Sequence, residues 1–210
     1  MAGPAEAACR LALLLALDVS SSVDDAEDRL QREGLAAALN SPVVREAMLG
    51  PGPVALGVFE WSGKWQQDWM LHWSVIETSA DLDAAIARLA ASQRVETRYP
   101  TAIGYALSWA QRAFRTAPQC TYRTLDISGD GTNNDGYPPE STYKYFDYSD
   151  ITVNGLVIGG DPSVTLYYRD EVIRGPFAFV EQAENYADFE RAMRRKLLRE
   201  LEPRAIGWLR

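Results

Sequence analysis

The chain has 210 residues, with 21 lysines and arginines against 29 acidic residues and a net charge of −8. A surplus of that sign repels phosphate backbones and anionic lipid, which excludes nucleic acid as an expected partner. The 47% apolar and 24% charged residues are the proportions of a chain that buries a core, so one domain is expected across residues 1–210, its core at about 9–202.

Residues 11–17 form the longest apolar run, seven residues ending at Asp18. A membrane helix needs ~20, so no membrane insertion is expected. No basic segment precedes the run and no small-residue cleavage site follows it, so it reads as a strand buried on both faces rather than a signal peptide. The opening Met-Ala-Gly-Pro-Ala-Glu-Ala-Ala reads as a mature terminus behind an added methionine, any export signal being already removed. Ser20, Ser21 and Ser22 then turn the chain into a helix, Ser22 forming a capping box with Asp25. Leu30, Gly34, Ala37 and Ala38 lie on one face of it, and residues 40–42 end it.

A second buried strand is expected at 54–60, and Gly63 permits a turn into 66–73, whose mixed alternation suits an antiparallel edge strand. His72 on that strand reads as a half-exposed polar residue. Helices are expected at 81–91 and 102–114, strands at 122–128 and 151–158, a helix at 164–173 and a short strand at 178–181. A helix at 188–201 carries the stripe Phe189, Met193, Leu197 and Leu201, with Pro203 as its stop. Strands alternating with helices in this way argue for an α/β fold: a doubly wound, mostly parallel central sheet with one antiparallel edge strand and helices on both faces.

The chemistry gathers at strand ends, where ligands bind in such sheets. Asp18, Ser20 and Ser22 follow the first strand, Asp130 follows the strand at 122–128, and Thr101 opens the helix at 102–114. Two cysteines and one histidine are too few for a Cys/His zinc site. Catalytic patterns fail on spacing. Five residues separate Gly57 from Gly63 where a phosphate-binding loop has four, Trp65 stands where that loop needs serine or threonine, and no Gly-x-Ser-x-Gly elbow occurs. A Mg²⁺-dependent hydrolase or phosphoryl-transfer enzyme stays open as an alternative, although Ser20 stands where the Asp-x-Asp form of that chemistry carries its general acid. A domain whose metal only rigidifies its loops is the other alternative.

Asp-x-Ser-x-Ser at Asp18, Ser20 and Ser22, a threonine about 80 residues further on and an aspartate after the next central strand resemble the metal ion-dependent adhesion site of von Willebrand factor type A domains. Leu-Asp-Val-Ser-Ser-Ser-Val-Asp, Glu60-Trp61-Ser62-Gly63, Ser-Gly-Asp-Gly with Asn133-Asn134, Val153-Asn154-Gly155-Leu156 and Tyr168-Arg169-Asp170 are similar, more narrowly, to a bacterial, usually exported branch of that superfamily with no assigned task. The resemblance implies a periplasmic or secreted module that binds a protein through an acidic side chain of the partner, with the ion held by Asp18, Ser20, Ser22, Thr101 and Asp130. Hard oxygen donors of this kind suit Mg²⁺, with Mn²⁺ or Ca²⁺ possible.

The strand order of that family makes the strands ending at Asp18 and Asp130 parallel neighbours, which implies a disulfide between Cys9 and Cys120. Asp126, inside a buried strand, either holds the metal loop or pairs with an arginine. Glu60, ending the second strand, is a weaker candidate for the metal rim. Residues 132–149 carry Asn133, Tyr137 and Tyr143, and either form a partner-binding rim or cover the sheet in place of a regular helix.

Overall fold

The computed structural model of the protein describes residues 9–95 and 98–202. Six strands, β1 (Cys9–Asp18), β2 (Val54–Trp61), β3 (Gln67–Ile76), β4 (Cys120–Gly129), β5 (Ile151–Ile158) and β6 (Val180–Ala183), form one sheet in the order β3-β2-β1-β4-β5-β6. Every pairing is parallel except β2 with the edge strand β3. Helices α1 (Asp25–Asn40), α2 (Pro42–Met48), α3 (Ser79–Ala91), α4 (Ile103–Ala113), α5 (Pro139–Tyr145), α6 (Pro162–Tyr167) and α7 (Phe189–Leu201) cover it.

The period-two pattern of β1 divides the core. Leu11, Leu13, Leu15 and Leu17 enter the layer beneath α1, α3 and α7, whereas Ala12, Leu14 and Ala16 enter the layer beneath α4. The two alanines there share their layer with Ala106 and Ala110 of α4, all 0% exposed. Gly57 serves β3 similarly: a Cβ there would meet the rings of Trp69 and Trp73 at 3.1 Å. Cys9 lies opposite Cys120 in the β1–β4 register, and the two are joined by a disulfide at the amino end of the sheet.

Several local expectations change. Asp24 rather than Ser22 caps α1, in a capping box with Glu27. Its buried face is Gln31, Gly34, Leu35, Ala38 and Leu39, while Leu30 is 41% exposed and Ala37 points outward. Gly34 lets α7 approach, since a Cβ there would lie 3.0 Å from Phe189 and 3.2 Å from the Glu190 nitrogen. Pro42 does not simply end α1; it opens α2 from the first turn, where a proline lacks no needed hydrogen bond. The helix expected at 164–173 is α6 followed by a wide turn at Tyr168–Val172, and β6 starts two residues later than expected. Residues 132–149 contain the short helix α5. The N-terminal segment and the Pro203 stop lie outside the described residues. No helix among those described is long and apolar enough to cross a membrane.

Candidate metal centre

The order β2-β1-β4 puts the reversal of winding at the carboxyl ends of β1 and β4. Asp18 is the last residue of β1 and wholly buried; Asp130 follows β4 directly. The loop after β1 is fixed by its backbone. Val19 donates to the Trp61 carbonyl, Ser21 to the Tyr99 carbonyl, and the Arg94 guanidinium reaches the carbonyls of Val19, Ser20 and Val23 at 2.5 to 2.9 Å. Gln31 of α1 donates to the Asp18 carbonyl at 2.9 Å.

These constraints bring the five motif side chains together. The Ser20 N–H donates to Asp18 Oδ1 at 2.7 Å, Ser20 Oγ lies 3.2 Å from Ser22 Oγ, and Ser22 Oγ donates to Asp130 Oδ1 at 2.9 Å. Thr101 Oγ1 donates to Ser20 Oγ at 3.3 Å. Thr101 is itself gripped from the loop after β4, its N–H donating to Asn134 Oδ1 and its carbonyl accepting from the N–H groups of Asn134 and Asp135.

Burial first, and then the charge of Asp130, push the Asp18 carboxyl up to about 7. Its Oδ2 is buried without a hydrogen bond. Among the described residues no three histidine, cysteine, aspartate or glutamate side chains gather as ligands, so the centre offers two carboxylates and three neutral hydroxyls. An unbonded buried oxygen, a second acid beside it and a set of hard oxygen donors are what a small divalent cation fits.

The other candidates separate. Glu60 is buried but turns away, accepting from Arg32 of α1 and from the Val95 N–H at 2.8 Å, so it is an internal anchor and not a rim residue. Asp126 takes a buried partner, but a lysine in place of the expected arginine: Lys196 Nζ of α7 lies 3.0 Å from Asp126 Oδ1 and 2.7 Å from Glu200 Oε1. Asn133 accepts from the Gly104 N–H at 3.2 Å and so serves the uncapped start of α4. Tyr137 stacks on Tyr105 with ring centroids 4.1 Å apart and bonds the Ser108 hydroxyl, whereas Tyr143 turns inward and donates to the Val172 carbonyl. Beside Tyr105 stands Trp65, 81% exposed, an aromatic the sequence reading gave no role. His72 is exposed on β3, against the Trp69 ring. Sequence reading also missed Gln31 and Arg94, whose reach to the loop after β1 depends on packing rather than spacing.

Solved structures share the architecture. PTMP1 from the mussel byssus is 16% identical with a TM-score of 0.65, over 93% of this chain and 48% of that one. A second PTMP1 structure, with a zinc-occupied MIDAS (metal ion-dependent adhesion site) motif, is 13% identical with a TM-score of 0.59, over 92% and 48%. The PilB minor pilin from Streptococcus sanguinis is 13% identical with a TM-score of 0.66 over 95% and 64%. The von Willebrand factor type A structure from Catenulispora acidiphila is 15% identical with a TM-score of 0.65, over 92% and 43%. The chain thus spans about half the length of PTMP1. At these identities the likeness is one of fold, that of von Willebrand factor type A domains. No protein of curated function matches the chain in sequence. Residues 8–205 match the model of a family described as proteins of unknown function, DUF1194, and the chain belongs to that family.

Proposed function

We propose that the chain is a metal-dependent protein-binding module in which Asp18, Ser20, Ser22, Thr101 and Asp130 hold one divalent cation, Mg²⁺ first, with Mn²⁺ or Ca²⁺ as substitutes. The observation that carries this reading is the meeting of three hydroxyls and two carboxylates at the winding reversal, with Asp18 Oδ2 buried and unbonded. Bound there, the cation supplies a Lewis-acidic position for a carboxylate of the partner protein. The chain's own part is to present few charges: the three hydroxyls are neutral, so two carboxylates leave a dication with no surplus of protein charge and with affinity for a third acid. The zinc-occupied motif of PTMP1 supports a divalent ion on this fold.

The surroundings favour binding over catalysis. His72 stands on the edge strand, against the Trp69 ring, and the acids outside the centre, Glu60 and Asp126, are engaged with Arg32 and Lys196. The Cys9–Cys120 disulfide favours an oxidising compartment, in keeping with a periplasmic or secreted protein.

Calorimetric titration with Mg²⁺ and Mn²⁺ tests the reading. One site is expected in the wild type and none in Asp18→Asn or Asp130→Asn, and absence of binding in the wild type overturns it. Capture from an envelope fraction with Mg²⁺ against EDTA then seeks the partner. Mg²⁺-dependent phosphoester turnover would instead mark an enzyme.

A further inference from the structure

The buried oxygens at the carboxyl end of the sheet that have no hydrogen-bond partner include Asp18 Oδ2 and the hydroxyls of Tyr168 and Tyr186. A buried tyrosine ring is ordinary, but its hydroxyl usually has a partner. The two rings come from opposite faces of the sheet. Tyr168, 0% exposed, belongs to the layer beneath α4, and Tyr186, 6% exposed, to the layer beneath α1 and α7.

Both converge on the acids of the metal centre. The Tyr168 hydroxyl and Asp18 Oδ2 face one notch, left by the missing side chain of Gly129: a Cβ built there would stand 2.5 Å from the hydroxyl and 2.9 Å from the carboxylate oxygen. The Tyr186 hydroxyl has the charges of Asp130, Asp18 and Glu27 around it. A phenol ordinarily keeps its proton at neutral pH, so each has one to donate.

We propose that Tyr168 and Tyr186 are positioning residues of the metal centre, donating their hydroxyl protons to one lone pair of Asp18 Oδ2, whose other lone pair stays open to the cation, and to the Asp130 carboxylate, and so aiming the two acids at the cluster of Ser20, Ser22 and Thr101. The inference rests on the metal reading above and adds to it a layer outside the five-residue motif. A charge-assisted bond from a neutral phenol favours the ionised carboxylate. It also fixes the carboxylate's direction, as supports behind metal ligands do. No formal charge is added, so the electrophilicity of a bound cation is left intact.

The test uses Tyr168→Phe, Tyr186→Phe and the double variant, each of which keeps the ring that packs the core. Mg²⁺ affinity by calorimetry is expected to fall about tenfold in each single variant, while the melting temperature in EDTA stays level or rises. Mg²⁺ is expected to give the wild type a saturable near-UV tyrosine difference spectrum, because the ion withdraws charge from the carboxylates that the phenols contact. Each single variant should lose part of that signal and the double variant most of it. A purely structural role for the rings predicts no such signal. Wild-type affinity in both single variants, or a difference spectrum unchanged in the double variant, overturns the proposal while leaving the metal reading standing. Absence of Mg²⁺ binding in the wild type overturns both.

Discussion

Two pairs of acids lie along the central strands, and they meet one electrostatic problem in different ways. Asp18 at the end of β1 and Asp126 inside β4 are each pushed up to about 7 by burial, and each has a second carboxylate that adds to the push, Asp130 in one case and Glu200 in the other. The inner pair, whose Asp126 oxygens accept no hydrogen bond either, is closed by a cation of the protein itself. Lys196, 0% exposed, touches both acids, and Asn154 donates to Glu200 at 2.7 Å. At the outer pair the nearby guanidinium of Arg94 is engaged with backbone carbonyls, and the neighbours of the carboxylates are hydroxyls. A closed pair contributes a fixed connection between α7 and the sheet; an open pair is a place for an ion from solution.

The largest expected effect breaks the closed pair. Lys196→Met leaves two buried acids without their cation, and a loss of about 3 to 5 kcal/mol in unfolding free energy is expected, as for other buried pairs that lose one member. Adding Asp126→Asn to Lys196→Met should recover part of it. Urea denaturation of the three proteins measures this, and a single variant within about 0.5 kcal/mol of wild type would show that the pair is not closed by this lysine.

At the open pair the sign reverses. Asp18→Asn keeps the Oδ1 acceptor for the Ser20 N–H but removes one of two repelling charges, so stability in EDTA is expected to rise by about 1 kcal/mol, about 2 to 4 °C in Tm for a chain of this size. The same variant should lose the stabilisation that millimolar Mg²⁺ gives the wild type. Melts in EDTA and in Mg²⁺ read both effects together. A fall in EDTA stability would mean that Asp18 acts as a structural acceptor alone.

The two pairs also act in the same direction with pH. Because the folded pKa values of Asp18 and Asp126 stand near 7 and those of unfolded carboxylates near 4, the folded chain binds more protons between these values. Stability therefore falls as pH rises through that window. In EDTA the protein should be more stable at pH 5 than at pH 8. Below about pH 4 the acids held low by their hydrogen bonds, Asp81, Asp147, Asp161 and Asp188, reverse the trend. Mg²⁺ favours ionised Asp18, so saturating Mg²⁺ should flatten the slope between pH 5 and 8, and Asp18→Asn should flatten it in EDTA. An identical slope in all three conditions would assign the whole effect to Asp126.

The open pair was readable in the sequence because its serines lie two residues apart immediately after an apolar strand, and the alternation of strands and helices placed Asp130 and Thr101 near them. The closed pair was not. Asp126 was visibly an acid in a strand, but its cation lies 70 positions further along the chain on α7, and only packing selects Lys196 over the arginines around it. The face of α1 was misjudged for a related reason. Leu30 invited an apolar stripe, whereas burial follows Gln31, whose amide bonds the Asp18 carbonyl and approaches Ser128. Tyr168 stood in a recognised stretch without a role, since nothing local says that its hydroxyl ends at Gly129.

The smallest expected effect separates ion binding from folding most sharply. Ser22 is exposed, unlike Ser20 and Thr101, which are buried at 0% and 4%. Among the described residues its Oγ bonds Ser20 and Asp130, and it does not cap α1, a task held by Asp24. Ser22→Ala should therefore leave stability in EDTA within about 0.5 kcal/mol of wild type. It removes one of three hydroxyl donors and the hydrogen bond that holds Asp130 Oδ1 toward the cluster, so Mg²⁺ affinity should still fall, by about tenfold. Thr101→Val, by contrast, buries a methyl where a hydroxyl met Ser20, and should lower both quantities. Equal Mg²⁺ affinities in Ser22→Ala and wild type would reduce the centre to its buried members and assign Ser22 to holding Asp130 alone.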